Sequence, residues 1–292
     1  MTLIPHILPL IRMNSGVREP VTLTVARHVV LLAFVAVSLW PVMDVVSISL
    51  RPGDQLRTTE WRLIPEGATL ESYRKLLWEE PFLRWMGNSL LVSGAVTATG
   101  VAVAAISGYA FSRFRFAGRG AMMISILTTQ MFPATMLLLP LYLMIAALGL
   151  VNTFLGLTVF YVSTALPFCV WQMKGFYDTI PPALEEAARI DGCTRWQSFT
   201  KVILPLAVPG LVITALFSFM SAWSEYLVAA QVLQDSNLFT LPLGLKSFQA
   251  SMSTQWGLYA AASLLVSVPV VVIFLLLSKH LVGGLTVGGV KE

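Results

Sequence analysis

Charge is what this sequence has least of. Only 12% of its 292 residues are Asp, Glu, Lys or Arg, while 56% are apolar. A soluble domain carries roughly twice that charged fraction, because it must cover a surface that faces water. A chain solvated by lipid has no such requirement. Cysteine is also scarce: Cys169 lies in an apolar run and Cys193 in a polar loop, a spacing that excludes a disulfide framework or a cysteine metal site. The three histidines, His6, His28 and His280, sit near the chain ends or at the edges of apolar runs, and no catalytic or metal-binding constellation forms around them. No stretch reads G-x-x-x-x-G-K-[ST], so the chain lacks a P-loop to cradle nucleotide phosphates and is not expected to hydrolyse ATP itself. The net charge of +4 is assigned to loops on the cytoplasmic face of a membrane, not to nucleic-acid binding.

What the sequence has in abundance is long hydrophobic runs. Six reach or exceed the ~18 to 20 residues that a bilayer-spanning helix needs: His28–Leu50, Asn88–Phe111, Ala121–Leu148, Thr153–Met173, Leu206–Val232 and Leu258–Leu281. None alternates as a barrel strand would, and hydrocarbon offers no partner for an unpaired backbone group, so each is predicted to be helical. The fold class is therefore an all-α membrane protein with six transmembrane helices. The run from His28 is long for a cleaved signal and follows a sizeable tail, so it reads as a retained span despite Asp44 toward its outer end. Leu3–Ile11, with Pro5 and Pro9, is too short to cross and is expected on the membrane surface or without structure. Pro133, Pro140, Pro167 and Pro269 fall inside spans and predict kinks. The second span is rich in small residues (Ser89, Ser93, Ala95, Thr97, Gly100, Ala104 and Gly108), which predicts close helix packing deep in the bundle.

The 19 Lys and Arg residues distribute unequally between the two sides of this topology. Twelve lie on the side of the termini: Arg12, Arg18, Arg27, Arg113, Arg115, Arg119, Lys174, Arg189, Arg195, Lys201, Lys279 and Lys291. Seven lie opposite: Arg51, Arg57, Arg62, Arg74, Lys75, Arg84 and Lys246. The excess places both termini in the cytoplasm. The chain then divides into a cytoplasmic tail (1–27), a first span with an external loop (28–87), a transmembrane core (88–281) and a cytoplasmic tail (282–292).

The most informative stretch follows the fourth span and reads Thr179-Ile-Pro-Pro-Ala-Leu-Glu-Glu-Ala-Ala-Arg-Ile-Asp-Gly192. Pro181 and Pro182 suit a helix's first turn, and Glu185 and Glu186 favour the positive end of its dipole. Gly192 supplies a left-handed stop. Leu184, Ala187 and Ala188, at i, i+3 and i+4, give a narrow face that would fit a groove on a partner.

Glu186-Ala187-Ala188, three residues, Gly192, nine residues, then Val202-Ile203-Leu204-Pro205 resembles the EAA loop of binding-protein-dependent ABC importers, with valine at 202 in place of isoleucine as the one departure. The resemblance runs from about Phe82 to Glu292. It includes Phe82-Leu-Arg-Trp-Met-Gly-Asn88-Ser89, Gly108-Tyr-Ala-Phe-Ser-Arg113 and the ending Gly284-Leu-Thr-Val-Gly-Gly-Val-Lys-Glu292, which is similar to the smaller of the two permeases in maltose-type carbohydrate importers. It implies a type I ABC importer permease fold in the bacterial or archaeal cytoplasmic (inner) membrane. It implies as partners a second permease subunit, an ATPase homodimer and an external solute-binding protein. ATP and magnesium would sit on the ATPase, and this chain would carry no cofactor. The segment 181–192 would be the coupling helix, with Glu185, Glu186, Ala187, Ala188, Asp191 and Gly192 forming the contact and Glu186 pairing with a cation on the ATPase. The tail residues Gly288, Gly289, Val290 and Lys291 would reach the ATPase pair. The implied cargo is maltose, maltodextrin, trehalose or a related sugar.

Two features stay open at this level. Glu225, beside Ser221, Trp223 and Ser224, is a carboxylate in or near the fifth span; it either lines a pathway or gate, as Ser221 would, or makes a structural hydrogen bond at the interface. The polar outer loop Gln234–Trp256 either meets the binding protein or merely connects two spans. The alternative class, an ion-gradient-driven secondary transporter, would be expected to show internal repeats and charged midplane sites. The sequence shows no such repeat.

Overall fold

The computed structural model describes residues 21–54, 56, 62–249 and 254–287, and all regular structure within them is helical. In chain order the α-helices are α1 (Val21–Ser49), α2 (Glu71–Trp78), α3 (Phe82–Arg113), α4 (Arg119–Thr129), α5 (Ala134–Ala147), α6 (Phe154–Thr179), α7 (Ala183–Ile190), α8 (Arg195–Ser198), α9 (Leu204–Leu206), α10 (Val208–Trp223), α11 (Leu227–Val232), α12 (Leu241–Lys246) and α13 (Trp256–Val287). Four of them, α1, α3, α6 and α13, are long and apolar enough to cross a bilayer as single helices, and α10 becomes a fifth when joined to the segment before it.

Helix α3 is the axis of the bundle. It runs parallel to α6, with Val92 near Leu157 and Tyr109 near Met173, and antiparallel to α10, with Trp85 near Trp223, while α13 packs against α10 and α2, and α1 lies along α13. The small residues of α3 set how close its neighbours come: Ser89, Ser93, Gly100, Ala104 and Gly108 are all buried. At Gly108 the approach is closest. A Cβ there would lie 2.7 Å from Met173 Cβ and 2.9 Å from the Lys174 backbone nitrogen, inside van der Waals contact.

Three apolar clusters succeed one another down the bundle. The first joins Leu76, Phe82, Trp85, Trp223 and Leu258; the second joins Val96, Leu157, Phe160, Tyr161 and Ala229; the third joins Tyr109, Met173, Tyr177, Phe199 and Ile203. Helix α1 takes almost no part, since its apolar side chains are exposed along most of its length, as a helix solvated by lipid requires. Its one acidic residue, Asp44, lies 3.8 Å from the guanidinium of Arg51, which is itself buried and donates to Ser47 Oγ at 3.3 Å. That pairing accounts for a carboxylate near the end of a membrane helix.

The second, fourth and sixth runs prove longer as helices than hydropathy reads them, Phe82–Arg113, Phe154–Thr179 and Trp256–Val287, and three further boundaries are corrected. The first span begins at Val21, before His28. The third run, Ala121–Leu148, is not one helix: α4 ends at Thr129 and α5 starts at Ala134. Pro133 has no N–H and forces Phe132 away from helical geometry, so the chain restarts there. By contrast Pro41, Pro140, Pro167 and Pro269 all lie within continuous helices. The fifth run ends at Trp223 and not at Val232, with α11 a separate helix beyond it. Residues 3–11 and the tail positions 288–291 lie outside the described residues.

Candidate functional site

The loop after α6 folds as the short helix α7, with Pro182 at its N-terminal boundary and Glu185 and Glu186 in its first turn. Gly192 has φ of 88°, a conformation that favours glycine, and it stops the helix. The Cys193 N–H donates to the Ala188 carbonyl at 3.0 Å and the Gly192 N–H to the Arg189 carbonyl at 3.1 Å, the paired bonds of a Schellman motif. Thr194 then opens α8 through a reciprocal capping box with Gln197. A π-turn over Phe199–Ile203 and the short α9 follow, and the Arg195–Leu206 arm meets α10 at a bend of 75°.

The two neighbouring glutamates of α7 point to different places. Glu185 turns into the protein. Its carboxylate accepts from Arg113 Nε at the end of α3 and from the Tyr109 hydroxyl at 2.8 Å. Both side chains of this ion pair are nearly buried, 12% exposed for Arg113 and 14% for Glu185. Arg113 also donates to the Ile180 carbonyl at 2.7 Å, at the joint between α6 and α7. A second link lies beside it: Ser112 Oγ donates to Asp178 Oδ1 at 2.7 Å, and Lys174 pairs with Asp178 at 2.5 Å. Glu186 turns outward. It is exposed, and its side chain makes no hydrogen bond or ion pair among the described residues.

The apolar face read from the sequence divides in the same way. Ala188 is buried, whereas Leu184 and Ala187 are exposed, and Ile190 at the helix end is 87% exposed. Asp191 and Gly192 are exposed as well. So α7 presents Leu184, Glu186, Ala187 and Ile190 away from the bundle while Glu185 and Ala188 hold it in place. Beneath it, Tyr109 lies 4.5 Å from Phe199 with the rings tilted by 40° and meets Tyr177 edge-on at 5.9 Å, so one aromatic cluster joins α3, α6 and the arm that leads to α10. Helix α7 is tied to α3 through Glu185 and packs directly against the arm. Sequence reading did not foresee Arg113, Tyr109 or Asp178 in this site. The available signal was Arg113 itself, in a loop with cations and no acidic neighbour.

The other candidate pair is not brought together as a site. Glu225 lies in the break between α10 and α11. Its carboxylate accepts from the Val228 N–H at 3.0 and 3.1 Å, from the Ala229 N–H at 3.3 Å and from the Tyr161 hydroxyl at 2.8 Å. That is the chemistry of a helix cap, anchored to α6. Ser221 is half-buried on α10 with no hydrogen bond to Glu225. Replacing Glu225 with alanine is expected to destabilise the assembled protein by about 1–2 kcal/mol, because it strips two N–H groups and a hydroxyl of their acceptor. Glu225→Gln keeps an acceptor and should retain most of that stability. Melting temperatures of the purified variants check the difference; equal losses would exclude the cap.

The loop after α11 is built into the protein as well. Trp85 packs over Gly244 of α12, and Asn88 donates to the carbonyls of Asn237 and Phe239, both at 2.9 Å.

This fold and this loop define a class. The family described as binding-protein-dependent transport system inner membrane component matches residues 100–286, and the chain belongs to it. It is a membrane-spanning permease of the ABC importer type. Among its relatives, the maltose/maltodextrin transport system permease protein MalG of Yersinia pestis is 37% identical over 281 residues, covering 90% of this chain and 92% of that one. MalG of Escherichia coli (strain K12) is 37% identical over 280 residues, covering 90% and 94%. In shape the chain is similar to a protein of a bacterial ABC transporter involved in the import of the acidic polysaccharide alginate, with a TM-score of 0.78 at 22% identity over 91% of this chain and 99% of that one.

Proposed function

We propose that this permease is the smaller membrane subunit of an ATP-driven importer of maltose, maltodextrin, trehalose or a related sugar. It pairs with a second permease and takes its drive from an ATPase homodimer that binds ATP and magnesium. An external solute-binding protein delivers the sugar. The termini and α7 lie on the cytoplasmic side, as the excess of Lys and Arg there supports. The segment 181–192 is the coupling helix, and the tail 282–292, with Gly288, Gly289, Val290 and Lys291, reaches the ATPase. The divisions follow from that orientation, with bounds set by the helices: a cytoplasmic tail before Val21, then α1 with the external loop, and a core that begins with α3 at Phe82.

The observation that carries this reading is the opposed orientation of Glu185 and Glu186. One carboxylate is spent on holding α7 against α3. The other is left free at the surface, next to exposed Leu184, Ala187 and Ile190, where a cationic cleft on a partner would meet it. ATP-driven closure of the two ATPases then moves α7, and contacts that differ between two arrangements of the bundle shift its population toward the outward-facing one.

The test uses the complete complex in vesicles with its binding protein. Glu186→Lys should leave assembly and receptor binding in place. It should reduce sugar-stimulated ATP hydrolysis at least about tenfold, since it sets a cation against a cation at a docked interface. Unchanged hydrolysis and uptake would overturn the coupling role. Uptake that persists without any ATPase would restore the ion-gradient alternative.

A further inference from the structure

Helix α1 spans 29 residues, or about 43 Å at the rise of an α-helix. The hydrocarbon core of a bilayer is about 30 Å thick and about 40–45 Å with its headgroup layers, so the ends of α1 lie among headgroups. Its apolar side chains stay exposed as far as Met43, and burial begins at Ser47. At that end, away from the cytoplasm in the orientation proposed above, α1 meets α2 and the start of α13 around a cavity of about 200 Å³. The lining is mostly polar: Arg51, Thr69, Glu71, Ser72 and Lys75, with Gly53 and Leu258 completing it. Beside it the outward face of α2 carries Leu70, Arg74 and Trp78, every fourth residue and all exposed, as suits a short helix resting in the membrane interface.

Several donors around this cavity lack acceptors. Arg51 is only 6% exposed. One terminal nitrogen of its guanidinium donates to the Leu56 carbonyl and the other to Ser47 Oγ, but the buried Nε–H has no acceptor. A buried donor in that state calls for a partner. The Lys75 side chain is half-buried and makes no hydrogen bond or ion pair among the described residues. Helix α2 has no side-chain cap: the Glu71 N–H reaches Thr69 Oγ1 at 3.1 Å, while the Ser72 N–H finds no acceptor among the described residues. The oxygens of one phosphate would use these donors together.

The cations do not stand alone. Glu71 lines the same cavity, and Asp44 lies 3.8 Å from the Arg51 guanidinium. Two cations are thus matched by two carboxylates, and a ligand carrying net charge gains nothing from the balance. A ligand carrying a charge of each sign meets both.

We infer that this cavity holds the headgroup of a membrane lipid, and that its paired charges select a zwitterionic phosphoethanolamine over an anionic phosphoglycerol. The phosphate oxygens accept from Arg51 Nε, Lys75 Nζ and the Ser72 N–H. The ammonium donates to the Glu71 carboxylate, with Asp44 next along α1. The acyl chains run down the exposed apolar side chains of α1. A lipid so bound joins α1, α2 and α13 at the edge of the bundle, whichever solute the permease carries.

The test is native mass spectrometry of the complete complex, equilibrated with phosphatidylethanolamine or phosphatidylglycerol and then stripped in mild detergent. Phosphatidylethanolamine should be retained about two- to tenfold better, and Glu71→Gln should erase that preference, the equivalent of one net hydrogen bond. Lys75→Gln should lower retention at least about fivefold, as loss of a hydrogen bond from a charged group requires. Neither side chain has a partner in the protein among the described residues, so both variants should melt with wild type in detergent without lipid. A lower melting temperature for Lys75→Gln there would assign the residue to the fold and overturn the inference. Equal lipid retention by wild type and Lys75→Gln, or wild-type retention of phosphatidylglycerol at least equal to that of phosphatidylethanolamine, would overturn it too. Binding of radiolabelled inorganic phosphate that depends on Lys75, with no lipid retained, would assign the site to a free anion instead. Absence of any occupant that depends on Lys75 would mean that another subunit covers the cavity, and the inference would fail.

Discussion

Arg113→Ala is expected to cost the protein about 3–5 kcal/mol and to abolish transport. The guanidinium and the Glu185 carboxylate are each almost out of contact with solvent, so deleting the cation leaves a carboxylate buried with only the Tyr109 hydroxyl for company. It also removes the bond to the Ile180 carbonyl that ties the base of α7 to α3. Glu185→Ala should fall in the same range for the mirror-image reason. The double variant Arg113→Met, Glu185→Leu separates stability from coupling. Apolar replacement of a buried ion pair is often neutral or stabilising, so melting temperature should recover toward wild type. Sugar-stimulated ATP hydrolysis should stay low, because the directional link from α7 to α3 is gone. Hydrolysis that recovers together with stability would show that the ion pair only holds the fold.

Gly108→Ala, a change of one methyl group, should destabilise the bundle by about 1–3 kcal/mol, and Gly108→Val should prevent assembly. The added Cβ would meet Met173 Cβ at 2.7 Å and a backbone nitrogen at 2.9 Å, and neither is the movable tip of a side chain. Helices α3 and α6 would have to separate along the cluster that supports α7. Gly94 on the same helix is the control, because a Cβ there meets nothing within 4 Å. Gly94→Ala should be neutral or stabilising by up to about 1 kcal/mol through helix propensity. Melting temperatures of the two alanine variants check the contrast; equal behaviour would remove the close α3–α6 contact as an explanation.

Much of this was legible in the sequence, and the reason is local. Helix α7, its proline start and its stop at Gly192 depend on residues within one or two turns of each other, so their pattern can be read directly. The burial of Ser89, Ser93, Gly100, Ala104 and Gly108 on α3 was legible from their helical spacing, whereas Ala95 and Thr97, read with them, are only half-buried. The break at Pro133 was not. Hydropathy adds residues without regard to backbone, and six prolines fall in the apolar runs, of which four lie inside continuous helices and Pro209 sits in the first turn of α10. At Pro133 the break is accompanied by a tertiary contact that spacing cannot reveal, the Gln130 amide bonded to the Thr164 carbonyl across to α6. The end of the fifth span at Trp223 escaped for a similar reason, since it depends on Glu225 taking up the N–H groups of α11 and the hydroxyl of Tyr161. The division of labour between Glu185 and Glu186 also needed coordinates. Arg113 lies 72 positions from Glu185, and a cation that distant cannot be assigned a partner from spacing.

The bend of 75° between the Arg195–Leu206 arm and α10 has a mechanical consequence. The arm and α10 together form a bell crank, with its elbow at Ala207, which is buried. Helix α10 spans 16 residues, or about 24 Å at the rise of an α-helix. A rocking of about 5° at the elbow would carry the Trp223 tip sideways by about 2 Å over that length. The stroke would be greatest farthest from the elbow, so a small push on the arm, if the proposed coupling acts there, would open or narrow the far end of the bundle.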